Sequence, residues 1–215
     1  MLSPRFIGGS ISKRMDDPNT KKGRVVIVSG PSGVGKSTIC REAANRIGNI
    51  YLSVAATTRP RAQGETHGKD YWFISKEEFQ EQVRRGQFLE YAEVFGHRYG
   101  TPKDKVEQAL NEGKIVILEI DVQGAKQAKL VYPDATMIFI LPPTARTLAE
   151  RMNRRGRESN DAAEQRLNGA SSEIAAAWQY YQHMVINDDL EQAVKEVVQI
   201  IQGTEGVLPA SASPS

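Results

Sequence analysis

The residues with the clearest chemical potential are Gly30-Pro31-Ser32-Gly33-Val34-Gly35-Lys36-Ser37-Thr38, which fit the order G-x-x-x-x-G-K-[ST]. Glycines let such a turn bring its backbone N–H groups close to phosphate oxygens. A following helix N-terminus adds partial positive charge, Lys36 adds a full one, and Ser37 offers a hydroxyl to Mg²⁺. A glycine-rich turn by itself says little; strand before and helix after give it meaning. Both flanks are present. Arg24-Val25-Val26-Ile27-Val28-Ser29 is a short β-branched run. Ile39, Cys40, Ala43, Ala44 and Ile47 follow at helical spacing. The expectation is a cradle for the phosphates of a nucleoside triphosphate across Gly30–Thr38.

Three further sets of side chains suit such a cradle. Ile115–Ile120 is nearly continuous apolar sequence closed by Asp121, with Glu119 two residues earlier. Residues two apart on a strand share a face, so both carboxylates can point together, and Asp121 can hold a Mg²⁺ shell through water. Arg151, Arg154, Arg155 and Arg157, with Arg166 beyond, form the densest basic stretch, suited to clamping phosphoryl oxygens from a helical lid. Arg59, Arg61, Tyr71, Tyr99, Glu90 and Thr101 combine phosphate-binding groups with a carboxylate. That carboxylate can accept paired hydrogen bonds from adjacent N–H groups, as on guanine.

These groups need elements to hold them. The 215 residues suit one domain with a small insertion. With 40% hydrophobic and 25% charged residues the chain can bury a full core, and a net charge of +2 gives no argument for nucleic acid. One cysteine, Cys40, rules out an internal disulfide and fits a reducing compartment, and no apolar stretch reaches membrane-spanning length. Strands are expected at 24–29, 50–55, 71–74, 88–95, 115–121, 136–141 and 184–187. Helices are expected at 39–47, from 76 to Gly86, after Pro102, at 123–131, after Pro142-Pro143-Thr144, at 161–182 and at 190–201. Ser75 and Glu78 have capping-box spacing. The sum is an α/β fold, a doubly wound parallel sheet spanning 23–54 and 102–202. A β-rich insertion covers 55–101 and an arginine-rich lid about 153–165. Residues 1–22 and 203–215 are expected to be disordered tails.

The chain resembles guanylate kinases. The likeness runs from about Gly23 to Gln202. It rests on the phosphate loop, Thr57-Thr58-Arg59, Gly64-Glu65, Gly68-Lys69-Asp70-Tyr71, Phe88-Leu89-Glu90, Tyr99-Gly100-Thr101, Glu119-Ile120-Asp121-Val122-Gln123-Gly124 and Ile186-Asn187-Asp188. The resemblance implies ATP + GMP ⇌ ADP + GDP with Mg²⁺, and dGMP as a further acceptor. It implies that Arg59, Tyr71 and Tyr99 hold the GMP phosphate, with Arg61 near, and that Glu90 and Thr101 read guanine beside Glu119 and Asp121. It also implies that Lys36, Arg151, Arg155 and Arg166 surround the transferred group and that Asn187 lies at adenine. A cytoplasmic monomer or homodimer follows, with no nucleic acid or membrane partner. The rival is a catalytically weak protein-binding module of the same fold, which typically loses the loop lysine or lid arginines. Two departures bear on GMP: Ala55 stands where the family usually has serine, and Arg61 comes one residue early.

Overall fold

The structure, a computed structural model, describes residues 23–153 and 160–203. In chain order the elements are β1 (Arg24–Ser29), α1 (Lys36–Ile47), β2 (Ile50–Leu52), β3 (Ala56–Thr57), β4 (Trp72–Phe73) and α2 (Lys76–Arg84). Next come β5 (Phe88–Val94), β6 (His97–Pro102), α3 (Lys103–Asn111), β7 (Ile115–Glu119) and α4 (Val122–Val131). The remainder is β8 (Thr136–Leu141), α5 (Ala145–Asn153), α6 (Asn160–Tyr180), β9 (His183–Ile186) and α7 (Leu190–Gln202).

A five-stranded sheet of order β2-β7-β1-β8-β9 forms the centre, and every pairing in it is parallel. Strand alternation sorts its apolar residues between two layers. Val26, Val28, Ile117, Ile138 and Ile140 pack with Ile39, Cys40 and Ala43 of α1 and Val194 and Val197 of α7. Val25, Ile27, Val116, Leu118, Met137 and Phe139 pack with Val106 of α3, Ala125 and Ala128 of α4 and Ala177 of α6. Cys40 is fully buried in the first layer, and burial pushes its thiol well up, so it is a packing residue. Helices on both faces make the sheet doubly wound, as the sequence implies.

The insertion is a four-stranded sheet of order β4-β3-β6-β5, backed by α2 through a small cluster of Ala56, Phe79 and Phe88. Ser75 caps α2 by accepting from the Glu78 amide. The loose alternation expected over 88–95 has a structural cause. A register shift between Phe88 and Tyr91 lets Phe88, Leu89 and Glu90 all be buried in succession.

Several boundaries differ from the sequence expectation. The strand at Ile50 ends at Leu52, because its partner β7 pairs only that far before the chain leaves for the insertion. β7 stops at Glu119, so Asp121 is not on a strand: it is the N-cap of α4, its carboxylate accepting from the Gly124 amide at 2.8 Å. The expectation that Glu119 and Asp121 share a strand face is therefore corrected. Gly203 belongs to the folded part, closing α7 in a left-handed conformation. The rest of both expected tails, and lid residues 154–159 including Arg155, lie outside the described residues. Among the described residues no helix is long and apolar enough to cross a membrane.

Candidate active site

The phosphate loop links the carboxyl end of β1 to α1, where ligands of open parallel sheets bind. Gly30 and Gly35 take φ of 150° and 104°. Neither could carry a side chain: a Cβ on Gly30 would lie 2.4 Å from the Ile140 carbonyl oxygen, and one on Gly35 would lie 2.5 Å from Asn187 Nδ2. Lys36 folds over the loop, donating to the carbonyls of Gly30 at 2.5 Å and Pro31 at 3.1 Å. The Val34 carbonyl accepts from Asn187 Nδ2 at 2.7 Å, and Asn187 is buried. Asn187 reaches this place because β9 pairs with β8 and its own amide continues that ladder onto Leu141. The Arg151 guanidinium of α5 donates to the Asn187 carbonyl at 2.9 Å. Asn187, expected at adenine, thus has its amide on the phosphate loop itself.

The register Val28↔Glu119 brings the end of β7 beside the loop, and Ser37 Oγ donates to Glu119 Oε1 at 2.6 Å. Of the two acids it is Glu119 that touches the loop. Burial raises the carboxyl of Asp121, two residues on at the N-cap of α4, with the Gly124 amide and Lys36 pulling the other way. α6 contributes another acid unassigned from sequence. Burial raises the Glu173 carboxyl while Lys36 lowers it, so the two groups lie within each other's field. Arg166 lies on the backbone of α6.

The insertion supplies the second polar set. Thr101 Oγ1 donates to Glu90 Oε1 at 2.6 Å, and both residues are buried. Burial pushes the Glu90 carboxyl up to about 7; the Thr101 hydroxyl opposes this and Asp121 adds to it. Arg59 stacks over the Tyr71 ring at 5.3 Å and pairs with Glu65 at 2.7 Å. That bond to Glu65 is the main cause of the raised pKa of Arg59. Tyr71 and Tyr99 meet with ring centroids 5.9 Å apart. Burial pushes the Tyr71 hydroxyl to about 12, which keeps it a neutral donor. Arg61 is exposed and forms no ion pair among the described residues.

Glu65, Gly124 and Glu173 were not assigned from sequence. Glu65 and Gly124 lie in stretches that carry the family resemblance; Glu173 had no signal.

A parallel sheet with a strand–loop–helix phosphate cradle, facing an insertion lined with arginine, tyrosine and a buried carboxylate, defines a phosphate-loop kinase architecture. Comparison with known proteins narrows the class. The family profile described as guanylate kinase matches residues 22–204. The guanylate kinase of Carboxydothermus hydrogenoformans is 44% identical over 180 residues, 84% of this chain and 88% of that protein. That of Thermosynechococcus vestitus is 45% identical over 180 residues, covering 84% and 94% of the two chains. Among solved structures, guanylate kinase from Anaplasma phagocytophilum superposes with a TM-score of 0.72 at 31% identity, covering 88% and 89%. The chain belongs to the guanylate kinase family.

Proposed function

We propose that this protein transfers the γ-phosphoryl group of ATP to GMP, and to dGMP, giving ADP and GDP. The observation that carries the proposal is how β7 and α4 join the two polar sets. Glu119 holds Ser37 of the phosphate loop, and two residues on Asp121 caps α4, whose Gly124 faces the Glu90 carboxylate. Donor and acceptor sites therefore share one short connection.

In this reading the loop amides of Gly30–Thr38 and Lys36 hold the triphosphate. Arg59, Tyr71 and Tyr99 hold the acceptor phosphate, with Arg61 a lesser contributor. Glu90 and Thr101 read guanine, the carboxylate accepting from its paired N–H groups while adenine offers no such pair. Asp121 and Glu119 border the base and the transfer site. Asn187 and Arg151 brace the loop beside the donor nucleotide, and Arg155 and Arg166 join Arg151 by sequence position. GMP presents a phosphate anion, so attack on the γ-phosphorus needs no general base; positioning and charge neutralisation carry the reaction.

Mg²⁺ fits the donor set. Ser37 offers a hard oxygen ligand, and Glu119, which accepts from it, together with Asp121 two residues on, can hold the ion's water shell. That suits a cation carried mainly by triphosphate oxygens and water. When bound it would neutralise charge between the β- and γ-phosphates. The single buried Cys40 supports a cytoplasmic setting.

An ADP-release assay with GMP, dGMP, AMP, CMP and UMP tests the proposal. GMP and dGMP are expected to turn over far faster than the others; equal use of AMP would overturn the assignment of guanine. Glu90→Ala should raise the KM for GMP while sparing ATP.

A further inference from the structure

We infer that Gly124 is a positioning residue for acceptor-base recognition: its missing side chain is the berth in which the Glu90 carboxylate lies. The inference rests on the assignment of Glu90 to guanine.

Glycine disfavours helices, yet Gly124 is in the first turn of α4. Backbone geometry does not demand it there, since Gly124 is absent from the positive-φ positions. Its amide donates to Asp121 Oδ1, a cap contact any residue other than proline could make. The steric surroundings supply the reason. A Cβ at this position would lie 2.2 Å from Glu90 Oε2 and 2.9 Å from Glu90 Cδ, with Asp121 Oδ1 at 3.3 Å.

Strand β5 cannot simply withdraw to relieve such a clash. One turn along α4, Gln127 grips the residue next to Glu90 from both sides. Its Nε2 donates to the Tyr91 carbonyl at 2.8 Å, and its Oε1 accepts from the Tyr91 amide at 3.3 Å. The helix–strand distance is thereby held, so a methyl group on residue 124 acts on the flexible Glu90 side chain. Moving that carboxylate breaks its 2.6 Å bond from Thr101 and takes it away from the base. α4 thus gives up helix propensity at one position to place an acid contributed by the insertion.

The test compares the full chain with Gly124→Ala and Glu90→Gln, using GMP and IMP as acceptors. Hypoxanthine lacks the 2-amino group of guanine, so the GMP/IMP preference reports the paired carboxylate contact. For Gly124→Ala the KM for GMP should rise at least tenfold and the GMP/IMP preference should fall towards that of Glu90→Gln. The KM for ATP should stay within twofold, and the Tm should hold or rise. A KM for GMP within twofold of the parent would overturn the inference. So would parallel losses for GMP and ATP with a lowered Tm, the mark of a structural role. If Glu90→Gln itself leaves the GMP/IMP preference intact, the guanine assignment fails; if it collapses the preference and Gly124→Ala does not, only the Gly124 inference fails. Should Gly124→Ala not fold, Glu90→Asp/Gly124→Ala shortens the opposing side chain. Recovery of folded protein would support the steric account, and continued misfolding would overturn it.

Discussion

At the scale of single residues, Glu90 combines burial with one strong donor, Thr101, and a nearby acid, Asp121, and its pKa is near 7. Guanine recognition needs the ionised carboxylate. The kcat/KM for GMP should therefore fall as pH drops below about 7. Stability responds with the opposite sign. The folded chain holds this proton more tightly than the unfolded chain, so its contribution is full below the ordinary carboxylate range and is lost as pH rises through about 7. A pH series of kcat/KM alongside Tm would show the two moving apart. The second ionisation of a phosphate monoester also occurs at about 6, so Glu90→Gln is the reference that retains only the substrate's titration. Arg59 and Arg61 offer a second contrast. Arg59 is braced by Glu65 and Tyr71, whereas Arg61 is exposed. Arg59→Ala should cost about 1.5–3 kcal/mol of GMP binding, the scale of a charged hydrogen bond. Arg61→Ala should change the KM for GMP less than about twofold, since exposed charges contribute little.

Among the elements, β9 reaches back to the phosphate loop. Asn187 closes its pairing with β8 and spends its amide on Val34, while Gly35 leaves the room. Removing that donor leaves the buried Val34 carbonyl with only the long 3.5 Å contact from the Arg151 guanidinium, at a cost of about 1–3 kcal/mol. Asn187→Ala should therefore weaken ATP, ADP and inorganic tripolyphosphate by a similar factor in calorimetric titrations. A loss confined to adenine nucleotides would assign Asn187 to the base instead. The elements themselves were largely legible. Parallel central strands are apolar on both faces, and 115–119 and 136–141 read as such from composition alone. The ends of β2 and β7 were not, because strand ends are decided by where a neighbour stops pairing.

Across the whole molecule, two layers of core hold the large sheet, but the insertion depends on a much smaller cluster around Phe79. Phe79 is fully buried against Phe88, with ring centroids 4.6 Å apart. Phe79→Ala should destabilise the insertion by about 3–5 kcal/mol, the usual range for a buried aromatic. Hydrogen exchange should then accelerate across 56–102 while the amides of β1, β7 and β8 stay protected. The KM for GMP should rise more than that for ATP. Uniform loss of protection would mean that the two sheets unfold as one unit.

The sequence by itself determined the local features: the phosphate loop between strand and helix, the alternation that sorts Val25–Val28 between two layers, and the cap at Ser75. These are legible because periodicity, glycine chemistry and capping act over a few residues. Tertiary structure alone decided which distant groups meet. It selected Glu119 over Asp121 as the partner of Ser37, across a separation of 82 residues, and brought Asn187 to Val34 across 153. It also set Gly124 against Glu90. Such contacts depend on strand register and helix–sheet distance, which no short stretch of chain encodes. The phosphate loop was therefore visible in the sequence, and its bracing was not.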